Sequence, residues 1–261
     1  MSAIELAERS TDAIMAVPAH PMGAAIGRAD DVGLSGNEFY VAGRCGAMGD
    51  VEPAVAAAAL MFMHPDWVRA QYRAAATVLP PPEASARWAA LLYEWAERAM
   101  PAEPWLQRFS ELTGRCTSEA SDVGAPIFAA WRQLAEPAAA PALAIHRLYL
   151  LRELRAGLHA GALLAAGLLP VEALLIRTPA FAANWGWPEP YPDVSGLVER
   201  WRSAEAATNV AMSRVFDPLT EAERDELGEL MAALLEHVGM PWWFDGQTPT
   251  VHYGPRPTAT D

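Results

Sequence analysis

The chain has 261 residues, of which 52% are hydrophobic and 20% charged, and its formal net charge is −13. This length can build one large domain or two small ones. The negative charge argues against a broad nucleic-acid surface and against docking on anionic membranes, because both need clustered cations. All 19 basic residues are arginines, which excludes a Schiff-base lysine, a P-loop lysine and a lysine general base.

The cysteines and the apolar segments indicate where the protein works. Two cysteines, Cys45 and Cys116, are too few for a disulfide framework. The N-terminal segment lacks the basic-then-apolar order of a signal peptide, and the longest uncharged run, 156–170, is too short to span a bilayer. We therefore expect a soluble cytoplasmic protein with no membrane partner, and the sequence leaves a homodimer open.

Helical patterns dominate the first 140 residues. An amphipathic helix is predicted over 4–17, and a Gly- and Asp-rich stretch follows it. Gly43, Gly46 and Gly49 punctuate the next segment and predict a turn rather than a continuous helix. Further helices are predicted over 53–63, 66–78, 84–100, 104–113 and 126–135, with a firm break at the three prolines 80–82.

The most informative segment is ALAIHRLYLLRELRAGLHAGALLAAGLLPVEALLI, residues 142–176. It predicts a long apolar helix, interrupted at Gly167 and Pro170, that nevertheless holds two histidines, three arginines and Glu153. Burying an ionisable group is costly unless it is paired or bound. The segment therefore indicates a helical protein with a polar pocket.

The C-terminal third changes in texture. Residues 178–196 are rich in proline and tryptophan and predict an irregular loop with aromatic anchors. Helices are predicted over 194–215 and 220–237, and the second opens on Thr220 and Glu223, spaced as a capping box. The tail from Pro241, with aromatic residues at 242–244, is expected to dock and to fray beyond Gly254.

Together these patterns predict an all-α, multi-helix bundle without a convincing strand. We divide it into an N-terminal helical region (1–140), a long-helix C-terminal region (141–240) and a tail (241–261), which together form one compact unit.

The polar residues of the long helix form two stripes. His146 and Glu153 fall within about 20° of each other on the helical wheel, while Arg152, Arg155 and His159 fall together on roughly the opposite side. In one interpretation the arginines are solvated and His146 pairs with Glu153. In the other, His146 and Glu153 perform acid–base or metal chemistry in a pocket, and the arginine stripe binds an anionic ligand such as a carboxylate.

Two further positions are candidates for binding the same ligand. Arg44 lies on the predicted glycine turn, with Tyr40 just upstream, where a guanidinium and backbone donors converge on an anion. Asp50 or Glu52 could instead neutralise Arg44.

The remaining histidines raise the question of a metal. His20 and His64, together with His146 or His159, could ligate a metal ion or a haem. No HExxH, HxH or CxxC spacing is present, and an ordinary capped or core imidazole explains each histidine equally. The sequence therefore leaves the cofactor open.

Three segments carry a resemblance to a known family. They are His20 with FYVAGRCGAMG at 39–49, LMFMHP at 60–65, and His146 followed by LRELRAGLH at 151–159. Over 18–176 the chain resembles a largely uncharacterised actinobacterial family described as helix-turn-helix-like. In two positions it departs from the family pattern, with Leu154 in place of a histidine and Gly157 in place of an aspartate.

The resemblance implies a winged-helix ancestry for the C-terminal part, in degenerate form, and a setting in specialised metabolism. A recognition helix there would be LVERWRSAEAATN, which offers only Arg200 and Arg202 beside Glu199 and Glu205. Direct reading of bases needs more donors than these, so duplex DNA is not expected as a partner.

Three functions remain. The first is an enzyme of specialised metabolism that acts on a small polar or anionic metabolite in an inter-helix pocket through His146 and Glu153. The alternative is a non-catalytic small-molecule-binding protein or a transcriptional regulator of winged-helix descent. The third is a partner-binding protein that uses exposed Trp185, Trp187 and Tyr191.

Overall fold

A computed structural model describes residues 1–100 and 103–241, and within those ranges the chain forms helices and turns without any strand. The predicted all-α multi-helix class is confirmed. The expected docking of residues 242–244 and fraying beyond Gly254 lie outside the described residues. The helices are α1 (Ala3–Ala16), α2 (Ala19–Ile26), α3 (Gly36–Cys45), α4 (Pro53–Ala59), α5 (Pro65–Val78), α6 (Pro81–Ala99), α7 (Trp105–Glu119), α8 (Pro126–Trp131), α9 (Ala140–Ala165), α10 (Pro170–Arg177), α11 (Val198–Ser213) and α12 (Glu221–Val238).

Local sequence sets where several helices begin. The predicted capping box of α12 is confirmed, since the Thr220 side chain accepts from the Glu223 amide and the Glu223 carboxylate accepts from the Thr220 amide at 2.9 Å. α1 and α3 begin with the same device. Prolines occupy the first turn of α5 and α6, where the missing N–H costs nothing. α6 therefore starts within the proline triplet, three residues earlier than predicted.

The glycines between 43 and 49 correct the predicted turn. α3 continues to Cys45, so Arg44 lies in the last turn of a helix. A Cβ added at Gly43 would lie 2.7 Å from the Trp88 ring, and one at Gly46 would lie 1.8 Å from the Pro81 carbonyl oxygen. These two glycines allow close packing of α3 on α6, and only Gly49, with φ of 88°, makes a turn of left-handed backbone.

Helix α9 runs through the centre of the fold. It packs against α6, α7 and α8 on one side and against α11 on the other. Leu150, Leu151 and Leu154 of this helix are buried, each at most 2% exposed. Because neighbours surround the helix, its ionisable side chains are buried as well. The long segment then bends by 111° into α10, at the predicted break near Gly167.

The Pro- and Trp-rich segment after α10 is anchored by aromatic side chains, as predicted. The Trp187 indole donates to the Phe62 carbonyl at 2.9 Å, and the Trp185 carbonyl accepts from the His64 amide at 2.9 Å. Trp185, Trp187 and Tyr191 are half-buried against the same small apolar cluster. The expected exposure of these three aromatic residues is therefore only partial, and partner binding through them stays a prediction.

Two negative findings concern the described residues. No single helix there is long and apolar enough to cross a membrane. Among the described residues, only α9 and α10 taken together, a pair bent at its break, have the length and composition of a membrane span. No strand follows α11 or α12 up to residue 241, so this part of the chain shows no wing.

Candidate functional site

Tyr40, Arg44, Arg152 and Glu153 meet between α3 and α9 and form what we call the buried arginine cluster. Arg44 donates to both carboxylate oxygens of Glu153, from Nε at 3.3 Å and from Nη2 at 2.8 Å. It also donates from Nη1 to the Tyr40 hydroxyl at 2.7 Å. Arg152 Nη1 donates to Glu153 Oε1 at 2.6 Å. Sequence reasoning gave Tyr40, Arg44 and Arg152 a ligand-binding role and Glu153 a catalytic one, and the structure brings all four together.

The arginine cluster keeps its charges despite burial. Burial alone would raise the pKa of the Glu153 carboxyl, but Arg44 and Arg152 outweigh it and hold that pKa below its usual value. Burial would likewise lower the pKa of Arg44, and Glu153 raises it well above its usual range instead. With two cations and one anion the cluster carries one excess positive charge. Arg44 is accordingly not neutralised by Asp50 or Glu52.

A small cavity of about 80 Å³ lies beside this cluster. Arg44 and Glu153 form its polar side. Its other walls are Ala58 to Met63 at and after the end of α4, Gly124 to Ile127 at the start of α8, and the α9 residues Ala156, Gly157 and Ala160.

His146 faces a different neighbour from Glu153. Its Nδ1 hydrogen-bonds to the Tyr93 hydroxyl at 2.8 Å, and its Nε2 is buried without a partner among the described residues. Burial lowers the pKa of His146 to about 4, so the ring is neutral at pH 7. The expected pair of His146 and Glu153 does not form, because the first points to α6 and the second to α3.

The arginine stripe of α9 is not solvated. The side chains of Arg152 and Arg155 are only 13% and 5% exposed. Arg155 Nη2 instead donates to Glu205 Oε2 of α11 at 2.7 Å. The stripe therefore divides, with Arg152 in the arginine cluster and Arg155 and His159 on the side of α11.

The largest cavity described here, which we call the cleft, lies between α1, α9, α10 and α11 and has a volume of about 650 Å³. That size is within the range of small-molecule sites. Most of its wall is apolar, and its cations and anions are interspersed. The lining residues are Thr11, Asp12, Met15, Phe62, Arg155, His159, Ile176, Arg177, Thr178, Val198, Trp201, Arg202 and Glu205.

His159 is held in the cleft in one tautomer. The Thr208 hydroxyl donates its only proton to the Ala204 carbonyl at 2.7 Å, so its oxygen accepts from Nδ1–H of His159 at 2.9 Å. The ring proton is then on Nδ1, and Nε2 carries a lone pair. Burial lowers the pKa of His159 to about 4, so this neutral form is the one present at pH 7.

The free lone pair of His159 faces a second acceptor. Nε2 lies 3.4 Å from Oε1 of Glu205, whose other oxygen accepts from Arg155. In the tautomer with the proton on Nδ1, no proton lies between the two atoms. Two acceptors that share a cavity wall form a site for a hydrogen-bond donor of a ligand, such as a hydroxyl or an amino group.

His20 and His64, which were considered as metal ligands, each make their own contacts with other residues. His20 hydrogen-bonds through Nε2 to the Gly239 carbonyl at 3.0 Å and stacks on Trp95. His64 caps α5, accepting from the Asp66 amide at 3.2 Å, and its ring meets Trp187 edge-on. Among the described residues, no group of three or more His, Cys, Asp or Glu side chains could hold a metal ion.

Sequence reasoning missed the partners that α11 supplies. Glu205 was considered only as a charge beside a recognition helix, and Thr208 and Trp201 were not considered. Their spacing carried a signal, because residues three and four apart share a helix face. The sequence did not say that this face would meet Arg155 and His159.

Comparison with known proteins gives one match. The profile of a family described as a helix-turn-helix family matches residues 19–195, which includes α2 to α10 and therefore the arginine cluster and part of the cleft. No curated protein and no solved structure matches the chain.

Proposed function

We propose that the chain, which belongs to a helix-turn-helix family, is a small-molecule-binding protein, because it contains a large cleft with a positioned histidine. The ligand is a small organic acid that also carries a hydroxyl or amino group. The single observation that supports this most is the cleft of about 650 Å³ in which Nε2 of His159 faces Oε1 of Glu205. Arg155 and His159 were predicted to contact a ligand.

The chemistry of the walls matches the parts of such a ligand. An amino group of the ligand donates to both His159 Nε2 and Glu205 Oε1, whereas a hydroxyl donates its one proton to one of these two acceptors. The carboxylate binds near Arg177 and Arg202, which also line the cleft and whose guanidinium groups suit its planar geometry. The apolar part of the ligand packs on Trp201 and on the other apolar side chains that line the cleft.

A more specific form of this proposal is that the cleft also catalyses a reaction of its ligand. In the cleft, His159 is the residue that could accept a proton, since it is neutral at pH 7 and its Nδ1–H is fixed by Thr208. His146 lines none of the three cavities described among residues 1–100 and 103–241. We therefore move the acid–base role from His146 and Glu153 to His159, and we propose binding as the basic activity.

The proposal is tested with 1-anilinonaphthalene-8-sulfonate, an aromatic anion whose fluorescence rises in apolar sites. We expect one saturable site in the wild-type protein. Reversing a charge in the cleft, Arg202→Glu, should weaken binding by about tenfold or more, which corresponds to roughly 1.4 kcal/mol.

The matched control is Arg200→Glu, which makes the same charge change two residues away on α11, at an exposed position outside the cleft lining. It should bind the probe as the wild type does. Equal weakening in both variants, or no saturable binding, would contradict the proposal.

DNA binding is a second candidate, favoured by the description of the family. The charge of the chain opposes it, and on α11 Arg202 forms an ion pair with Glu199. We expect no shift of a random pool of duplex DNA in a gel at physiological salt. A sequence-specific shift at nanomolar protein would instead make the protein a regulator, with the cleft as its effector site.

A further inference from the structure

The buried arginine cluster carries one more positive charge than its protein partners neutralise. Arg44 and Arg152 both contact Glu153, and within the described residues the hydrogen bonds of these two guanidinium groups reach no other carboxylate. All three groups stay ionised at neutral pH. A buried charge without a counter-charge is costly, so an anion from outside the chain would stabilise the arrangement.

The same cluster has donors to spare. A guanidinium has five N–H groups, and Arg44 uses three of them, toward Glu153 and Tyr40. Nε of Arg152 is buried and has no hydrogen-bond partner. Both oxygens of Glu153 are meanwhile occupied by arginine donors. What the cluster lacks is therefore an acceptor with negative charge.

The small cavity offers room for that acceptor. It has a volume of about 80 Å³, enough for several waters or an anion of a few non-hydrogen atoms. Its polar lining is Arg44 and Glu153, and both carboxylate oxygens of Glu153 already accept from arginines. Leu60, Met61 and Phe62 form much of its remaining wall. Apolar walls reduce screening, which strengthens the attraction between an anion and the arginines.

We propose that this cavity is an anion site, distinct from the cleft, that binds one small monovalent anion such as chloride or formate. The anion accepts from the unused N–H groups of Arg44 and neutralises the excess charge of the cluster. The occupant belongs to the folded core, so its main effect is on stability.

Thermal unfolding in a series of sodium salts tests the proposal. At constant ionic strength, chloride and formate replace gluconate, which is too large for the cavity. In the wild-type protein we expect a saturable rise of the unfolding midpoint, roughly 3–5 °C at ten times the dissociation constant. If the unfolding midpoint rises equally when sodium gluconate is the only salt added, the proposal is overturned.

Two variants locate the effect. Arg152→Leu removes the excess charge and leaves the Arg44–Glu153 pair neutral, and Ala156→Met fills the cavity without changing any charge. Both should lose the saturable response. If Arg152→Leu does not fold, the Ala156→Met variant alone tests the proposal. A rise of the unfolding midpoint equal to that of the wild type in Ala156→Met would overturn the proposed site.

The cleft variant Arg202→Glu is the matched control, because Phe62 lines both the small cavity and the cleft. It should keep the full chloride response. Loss of the response in Arg202→Glu and its retention in Ala156→Met would place the anion in the cleft and contradict the separate site. This result does not depend on how the organic probe binds.

Discussion

The ionisable side chains of α9 behave in two ways. Glu153 stays charged because two arginines contact it, and its pKa is held below the usual value. His146 and His159 have no such partner strong enough to offset burial, and the pKa of each falls to about 4. At neutral pH the helix therefore presents the charges of Arg152 and Glu153 toward α3 and a neutral imidazole toward α6. Toward α11 it presents a neutral imidazole beside Arg155, which pairs with Glu205.

The first prediction concerns the charge of Glu153. In Glu153→Gln two arginines remain in the core without a carboxylate, and we expect a loss of about 3–5 kcal/mol in the free energy of unfolding. Urea unfolding measures it. The exposed ion pair of Glu199 and Arg202 provides the control, since Glu199→Gln should cost only a small fraction of that. Similar losses in the two variants would show that the arginine cluster is not buried as described.

The second prediction concerns pH. His146 has a lowered pKa when folded, so between pH 6.5 and pH 4 the unfolded chain binds a proton that the folded one does not, and stability falls as the pH falls. Tyr93 hydrogen-bonds to the ring. Glu136 raises the pKa of His146 and Arg147 lowers it, but burial has the largest effect on this pKa.

The measurement compares the free energy of unfolding at pH 7 and at pH 5. Each histidine with a pKa near 4 should contribute a loss of about 2 kcal/mol over this interval. His146→Gln keeps a polar partner for Tyr93 but cannot titrate, so its loss should be smaller by that amount. An undiminished loss in this variant would mean that His146 is not the group that titrates.

At the scale of elements, close approach of helices places the functional side chains. Gly43 and Gly46 bring α3 against α6, which holds Arg44 at the depth of Glu153. Gly157 does the same for α9, where a Cβ would lie 2.7 Å from the Ala125 Cβ. Gly161 lies one turn further along α9 and has nothing within 4 Å of such a Cβ.

These two glycines of α9 make a matched pair. Gly157→Ala should lower stability by about 1–3 kcal/mol, because it overpacks the contact with the segment before α8. Gly161→Ala should raise stability by about 0.5–1 kcal/mol, because alanine is the better helix former. Thermal or urea unfolding of the two variants gives the sign directly. A loss at both positions would contradict the open environment of Gly161.

At the scale of the whole molecule, we propose that regions 1–140 and 141–240 fold as one unit. α9 lies between α6, α7 and α8 on one side and α11 on the other, and α1 packs against α11 and α12. The main apolar core contains residues from both regions. We expect calorimetry to show a single two-state transition, with calorimetric and van't Hoff enthalpies equal. Two separable transitions would support two domains.

The sequence predicted the helices better than the contacts between them. Periodicity and capping signals placed α1, α5 and α12 closely, because these signals are local. The glycines at 43 and 46 were misread as a turn, since their role depends on the distant residues Trp88 and Pro81. Local pattern does not report such packing.

For the candidate site, too, the sequence predicted the helix but not its contacts. The sequence singled out the right helix, because ionisable residues in an apolar segment need partners. It did not identify those partners, which come from α3, α6 and α11. The wheel grouped His146 with Glu153 by angle alone, whereas α9 is surrounded on several sides and each side chain meets a different neighbour.

The central claim is that the cleft between α9 and α11 binds an organic acid bearing a hydrogen-bond donor. A crystal structure with 5-iodosalicylate tests it most directly, because this probe has a carboxylate, a hydroxyl and an anomalous scatterer. We predict an iodine peak in the cleft against Trp201, with the hydroxyl at His159 Nε2. A peak only outside the cleft, or no bound probe at saturating concentration, would contradict the claim.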